Sequence, residues 1–385
     1  MTQVDNSQSL GLLDVLPNGA GFIRRREAGY TPGKRDVYVG PKLIKRHNLR
    51  TGDEIAGEVG KKPKNGKSAP LVRLETVNGM LPDQVGPRQE FNRLGALHPD
   101  QRLRLECGRT YRGQTDLTLR IIDLLCPFGK GQRALIVAPP KAGKTTVLQA
   151  VAEGIATNHP ECKLFVVLVD ERPEEVTEME LAGYGEVVSS SFDHPPSRHV
   201  SVAEMVLERS RRLVEMGQDV VIILDSITRL ARSYNTVDEG SGRTLSGGLD
   251  ATSMEKPKRF LGSARKIDER KGGGSLTIIA TALIDTGSKM DQVIFEEFKG
   301  TGNSELVLSR ELADRRVYPA LDIVASATRR EELLLTDEEL EVSRTLRRQL
   351  SNATPVDAMN SLITEMKRSK NNEEFVQQLA GRMNS

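Results

Sequence analysis

The residues able to do chemistry gather first around Arg133-Ala-Leu-Ile-Val-Ala-Pro-Pro-Lys-Ala-Gly-Lys-Thr145. An apolar run, Leu135 to Ala138, leads into Gly143-Lys144-Thr145, and a helical pattern follows from Thr146 to Ile155. Strand, loop and helix in that order are what a phosphate-binding loop needs. Backbone N–H groups curl around a polyphosphate, and the helix N-terminus adds its positive end. On this reading Gly143 admits close backbone approach, Lys144 reaches the β/γ oxygens and the Thr145 hydroxyl takes Mg²⁺. The generic motif begins with Gly, where this chain has Ala138. An ordinary strand-to-helix turn that contains Gly-Lys-Thr is the bland alternative for the loop alone.

Two carboxylates at matching places strengthen the reading. The apolar run Leu164–Val169 ends in Asp170-Glu171-Arg172-Pro173, and Val220–Leu224 ends in Asp225-Ser226. In a parallel α/β sheet both would lie at the C-terminal strand edge, where such sheets bind ligands. Asp225 is then the carboxylate that takes Mg²⁺ opposite Thr145.

From residue 131 to 385, apolar strand and helix patterns alternate as in a parallel α/β domain. Val187–Ser190, Leu276–Leu283 and Leu306–Ser309 read as strands, and Val200–Met216 as an amphipathic helix. Helical patterns Asp337–Leu350, Pro355–Ser369 and Asn372–Met383 finish the chain. Glycine-rich residues 240–253 read as an exposed mobile loop, and Ile284–Asp291, with its lone Lys289, as a second polar loop. Each could be plain connection, or the pair could line a channel.

Residues 1–80 read as a small all-β, OB-type domain. Its strands are Leu12–Val15, Gly21–Arg24, Asp36–Val39, Ile55–Val59 and Leu71–Val77, with a short helix at Pro41–His47. Phe22 beside Arg24-Arg25-Arg26, and Tyr38 near Lys34 and Arg35, supply the stacking rings and cations of a single-strand site. Each ring could instead be core. Residues 81–130, rich in Pro, Gly and charge, read as a surface connector, with Asp116–Leu125 as an entry strand.

Composition narrows the class. Among 385 residues 37% are hydrophobic and 28% charged, which describes a soluble globular protein. Residues 1–112 carry 20 Lys+Arg against 12 Asp+Glu, and the rest 35 against 41, so the basic part faces a polyanion. Cys107, Cys126 and Cys162 are scattered, which excludes a disulfide scaffold or zinc site and fits a reducing cytoplasm. No apolar run approaches the ~18 residues of a membrane span, and Met1–Gln8 lacks an export h-region.

The chain resembles the transcription termination factor Rho family over about residues 10 to 383. The resemblance rests on Val137-Ala-Pro-Pro-Lys-Ala-Gly-Lys-Thr145, Asp170-Glu-Arg-Pro-Glu-Glu-Val-Thr-Glu-Met179, Leu224-Asp-Ser-Ile-Thr-Arg-Leu-Ala-Arg232 and Thr281-Ala-Leu-Ile-Asp-Thr-Gly-Ser-Lys-Met-Asp291. Ala138 is that family's form of the loop. The resemblance implies an OB-type RNA domain before a RecA-like motor, closed into a homohexamer in the cytoplasm. Its implied partners are single-stranded RNA, RNA polymerase and elongation factors, and its implied activity is ATP-dependent 5′–3′ helicase action.

Residue by residue, the resemblance implies phosphate and Mg²⁺ contacts from Lys141, Ala142, Gly143, Lys144, Thr145 and Thr146, with Asp225 at the metal. It implies Glu171 as the base for the attacking water and Arg172 beside the γ-phosphate. Arg329 would be the arginine finger, with Arg316 at the same interface. RNA would meet Phe22, Arg24 and Tyr38 in the β domain, and Arg243, Gly247, Gly248 and Lys289 in the channel. Two departures stand out. Ala20 occupies a place where the family has an aromatic, and the helical layer that usually precedes the first strand is not expected here. Arg270-Lys-Gly-Gly-Gly274 reads as a short loop insertion. The competing readings are a rotary or secretion-type ring ATPase acting on protein, and an RNA-binding protein with a decayed motor.

Overall fold

A computed structural model describes residues 9–63, 68–238, 246–250 and 252–383. The first sheet is antiparallel, in the order β3-β2-β1-β4-β5. Its strands are β1 (Gly11–Val15), β2 (Gly21–Arg24), β3 (Val37–Val39), β4 (Glu54–Val59) and β5 (Leu71–Val77), with helix α1 at Pro41–Arg46. A parallel bridge from Tyr38 to Pro70 joins β3 to the entry of β5 and closes the barrel. Alternation sorts the strand residues. Leu13, Ile23, Val37, Val39 and Ile55 fill the interior, while Asp14, Phe22, Arg24 and Tyr38 share the outer face by register.

The second sheet is the core of the α/β domain. Its parallel strands are β6 (Arg133–Ala138), β7 (Lys163–Glu171), β8 (Glu186–Ser191), β9 (Asp219–Asp225), β11 (Ser275–Leu283) and β12 (Ser304–Val307). They lie in the order β8-β7-β9-β11-β6-β12, so the phosphate-loop strand β6 sits between β11 and β12. Short β10 (Arg265–Ile267) pairs antiparallel with the start of β11. Both faces of the sheet are covered: Ala134, Ile136 and Ala138 pack into one apolar cluster, Leu135 and Val137 into the other. Strands buried on both sides read as unbroken apolar runs, which is why they were legible.

Three expectations need correction. Residues 116–125 are no strand: Thr118–Leu125 forms helix α2, all eight residues of it buried. The run Asp116-Leu-Thr-Leu-Arg-Ile121 alternates polar and apolar as a strand would, and the helix's polar pair Arg120 and Asp123 is itself buried, bonded to Ser369 and to the Leu105 N–H. The segment read as a surface connector is partly core, with Leu103, Leu105, Leu117 and Phe128 all inside the motor cluster. The glycine-rich loop is not wholly exposed either, since Leu249 and Ser253 are buried.

Barrel and motor are held together along helix α5 (Pro196–Val214). Arg50 donates to Glu215 at 3.1 Å, and the Glu215 side chain is wholly buried. Arg198 donates to Thr31 at 2.9 Å and to the Ala28 carbonyl at 3.0 Å. Arg209 bonds both Glu54 and Asn78, and Tyr30 donates to Glu186 at the edge of β8. At Gly52 any Cβ would lie 2.4 Å from the Glu208 carbonyl carbon, so only glycine lets the barrel loop touch the helix backbone. Among the described residues no helix is long and apolar enough to cross a membrane.

Candidate nucleotide and RNA sites

The phosphate loop ends where α3 (Lys144–Asn158) begins, with Gly143 at φ 89° as its N-cap. That left-handed turn aims Lys144 across the strand ends. Its Nζ lies 2.7 Å from Glu171 Oε1 and 2.5 and 2.6 Å from the two oxygens of Asp225. Each of these carboxylates is only 2% exposed. Asp225 also accepts from Thr281 Oγ1 at 2.7 Å, and Arg229 Nη1, from helix α6 (Ile227–Val237), stands 3.2 Å from Glu171 Oε2. Burial opposes charge on Lys144, yet Asp225 and Glu171 outweigh it and raise its pKa. Glu171 is raised as well, by burial first and then by the Asp225 carboxylate, against the pull of Lys144.

Helix α4 (Pro173–Ala182) adds a third acid. Proline at its first position and acids in its first turn suit a helix start, and Glu175 accepts from Thr145 Oγ1 at 3.2 Å. Ligand atoms of Glu171, Glu175 and Asp225 lie within 4.8 Å of one another. Thr145 therefore meets Glu175 here, whereas the sequence placed it opposite Asp225. Lys141 is exposed at φ 66°, Ala142 is buried, Thr146 is half-buried, and Arg172 is exposed at the head of α4.

Arg329 stands apart. It follows the pair Ala327–Thr328, which is antiparallel to the first residues of β12, and its N–H donates to Asn303. Asn303 also bonds Arg133, at the start of β6. The loop that holds Lys144 leaves the other end of β6, roughly 17–20 Å away for five or six residues of strand. Exposed Arg329 thus lies at the opposite edge of the sheet from its own phosphate loop. Arg316 is exposed with φ 59°. Two residues on, Tyr318 is half exposed, and its Cε1 would lie 4.0 Å from a Cβ on Gly143.

On the barrel, Phe22 and Tyr38 are cross-strand partners with ring centroids 5.8 Å apart, edge to face at 68°. Arg24 was expected to be a free cation and is not. It is 7% exposed, donates twice to Asp14 (2.9 and 2.6 Å) and once to Asp36 (2.6 Å), and lies 5.1 Å from the Phe22 ring centroid. Its charge is spent in holding the platform. Ala20 is buried at 7% exposure, so no open space awaits an aromatic there.

Arg243 lies outside the described residues. Gly247 and Gly248 adopt φ 80° and 81°, and a Cβ on Gly247 would lie 2.7 Å from the Met290 nitrogen. Lys289 is exposed as the first residue of helix α8 (Lys289–Lys299), not mid-loop as expected. The two candidate channel segments are thus pressed backbone to backbone.

Four residues at the site escaped sequence reasoning: Glu175, Arg229, Thr281 and Tyr318. Glu175 had a signal, an acid one helical turn beyond Glu171. Arg229 and Thr281 follow only from which strand ends adjoin, and Tyr318 only from the fold returning past Gly143.

Two families match the chain: the ATP synthase alpha/beta family, nucleotide-binding domain, over residues 118–328, and the Rho termination factor, RNA-binding domain, over residues 9–83. The transcription termination factor Rho of Cereibacter sphaeroides is 53% identical over 365 residues, covering 95% of this chain and 85% of that relative. That of Escherichia coli K12 is 54% identical over 371 residues, covering 96% and 87%. A prototypical ATPase from the type III secretion system of pathogenic bacteria superposes with a TM-score of 0.58 at 23% identity, over 68% of this chain and 82% of that one. That likeness is one of fold alone, and the protein-directed alternative is not favoured. With an RNA-binding barrel, a nucleotide-hydrolysing motor and these relatives, the chain belongs to the transcription termination factor Rho family, RNA-binding factors that end transcription.

Proposed function

We propose that the protein is an ATP-driven translocase and helicase, moving 5′–3′ along single-stranded RNA as a ring of six copies in the cytoplasm, in contact with RNA polymerase and elongation factors. The observation that carries the motor reading is the Lys144 ammonium held between Glu171 and Asp225 at one sheet edge, with Arg329 at the other. An arginine ~17–20 Å from its own phosphate loop serves a γ-phosphate only if that phosphate sits on a neighbouring copy.

The acidic trio suits Mg²⁺. A hard dication takes oxygen ligands, and Asp225, Glu175 and the Thr145 hydroxyl converge within reach of one such ion. When bound it would neutralise charge on the β/γ oxygens. Before nucleotide arrives, Lys144 is neutralised by the two carboxylates. As triphosphate enters, the ammonium turns to its oxygens and releases Glu171, which orients water and accepts its proton. Arg229 keeps Glu171 aimed, Lys141 and Thr146 flank the phosphates with the Ala142 and Gly143 backbone, and Arg172 meets the γ-phosphate. Tyr318 gives the base a ring to stack on. Arg329, with Arg316, enters the adjacent copy's site, where a guanidinium forks onto phosphate oxygens. RNA bases stack on Phe22 and Tyr38, and the strand then runs past Gly247, Gly248, Lys289 and Arg243.

Mixed rings test the reading. Arg329→Ala and Glu171→Gln subunits, each inactive alone, should regain RNA-stimulated ATP hydrolysis when co-assembled, because some interfaces then hold an intact pair. No recovery in verified mixed rings would overturn the action in trans. A wild-type rate unmoved by single-stranded RNA would overturn the translocase.

A further inference from the structure

A second concentration of positive charge lies away from both sites. Helix α7 (Glu255–Gly262) leaves the channel segment and runs toward β10. At its far end a cavity of about 480 Å³ is lined by Arg211, Lys258, Arg259 and Arg265 with Asn92 and Ser263, and by no carboxylate. Arg265 donates only to main-chain oxygens, the Ser263 carbonyl at 3.2 Å and that of Gly262 at 3.4 Å, and among the described residues it forms no ion pair. Its pKa is depressed, by burial first and then by the neighbouring Arg211 and Arg133 guanidinia. The Nε of Arg211 is buried without a partner, while its Nη1 donates to Glu208 at 2.6 Å and its Nη2 to Ser263 at 2.7 Å. The pair Arg259–Glu255 lies in water, at 75% and 61% exposure, and holds its cation weakly. Among the described residues Arg265 is therefore the one cation of the four without an acidic partner, and the like charges beside it cost energy that an anion in the cavity would relieve.

The crowding is also pre-arranged. Phe91, 2% exposed, sits between two guanidinia, with Arg265 4.8 Å and Arg211 5.5 Å from its ring centroid. Place matters as much as charge. Arg211 and Arg259 also line a neighbouring cavity of about 450 Å³ that reaches Asp14 and Thr51 of the barrel, and Asp14 is the acid that anchors Arg24 beneath Phe22. On the other side Lys258 is paired with Glu297 of α8, the helix that starts at Lys289.

We propose that this cavity binds backbone phosphates of single-stranded RNA on the way from the aromatic face of the barrel to the channel segments. The proposal rests on the RNA path described above. It makes α7 a strip that follows the strand between loading and traction, reading charge and no base.

The test uses the full chain and two cytidine oligonucleotides: one of about four nucleotides, enough for a single barrel site, and one of several tens. Arg259→Gln and Arg265→Gln are made singly and together, with Arg265→Lys as the variant that keeps the charge. Each phosphate contact in a single strand adds about 0.7 to the slope of log affinity against log salt. The double variant should therefore flatten the slope for the long RNA by about 1.4. It should leave the short RNA unchanged, and Arg265→Lys should keep most of the wild-type slope. Arg259→Gln changes an exposed side chain, so its expected flattening of about 0.7 can be read even if Arg265→Gln fails to fold. An unchanged long-RNA slope in a folded variant overturns the proposal. So does an equal change for the short RNA, or inorganic phosphate binding with no effect on RNA. Loss of ring assembly in place of RNA affinity would make the cavity a subunit contact and also overturn it. If the wild-type chain bound neither RNA, the RNA path itself would fail, an outcome separate from these.

Discussion

Replacing Lys144 with methionine keeps the length of the side chain and removes its charge. Glu171 and Asp225, each 2% exposed, then face each other with little between them. Removing one partner of a buried ion pair costs ~3–5 kcal/mol. The low end applies here, because Arg229 still reaches Glu171 at 3.2 Å and Thr281 still donates to Asp225 at 2.7 Å. About 3 kcal/mol corresponds to a fall of roughly 6–12 °C in the melting temperature of a domain this size. The fall must depend on pH. Without the ammonium, Glu171, already raised by burial and Asp225, rises further. A folded pKa above the unfolded one gives a penalty that is absent in acid and grows as pH rises through the folded value. Thermal melting without nucleotide at about pH 5 and pH 8 should show the smaller gap from wild type at the acid end. Adding Glu171→Gln should recover part of the loss at pH 8. An equal fall at both pH values, or none, would refute the idea that Lys144 offsets the charge gathered between Glu171 and Asp225.

Arg24→Gln strands Asp36 in the barrel and should cost about 3 kcal/mol of stability; denaturant melting checks it, and a stable variant with a flatter RNA salt slope would return Arg24 to the phosphates. Phe22→Ala should weaken RNA binding about tenfold through lost stacking, whereas Ala20→Phe should lower the melting temperature by overpacking with no gain in RNA affinity. A gain without destabilisation would mean the position opens to the bases. Burial lifts Asp123 from 3.8 to about 6, so its share of stability, full below the lower value, is lost as pH rises through the higher. Asp123→Asn should remove that fall, and parallel melting profiles of variant and wild type between these pH values would contradict it.

Most strands were legible because burial on both faces leaves long apolar runs such as Leu135–Ala138 and Val220–Leu224. The gathering of Lys144, Glu171 and Asp225 was legible because Gly143-Lys144-Thr145 and the acids after two strands follow from local sequence patterns. Helix α2 was not, because the alternation Asp116-Leu-Thr-Leu-Arg-Ile121 mimics a strand over six residues, too short a run for the helical pair Arg120 and Asp123 to decide the period. Arg24 misled for a related reason. Its neighbours Arg25 and Arg26 are less buried, and only cross-strand register reveals that Asp14 and Asp36 lie waiting for the first of the three. Contacts made by strand order, such as Thr281 with Asp225, leave no trace in spacing at all.

The ties along α5 bear on how force travels. Arg50 on Glu215, Arg198 on Thr31 and Gly52 against the Glu208 carbonyl fasten the barrel to that helix at three separate points. On the proposed reading, a tug on RNA stacked at Phe22 passes through these ties into the sheet that carries the phosphate loop. If the proposed ring forms, a stroke delivered to the strand would come from one copy moving against the next, with α5 carrying it between barrel and sheet.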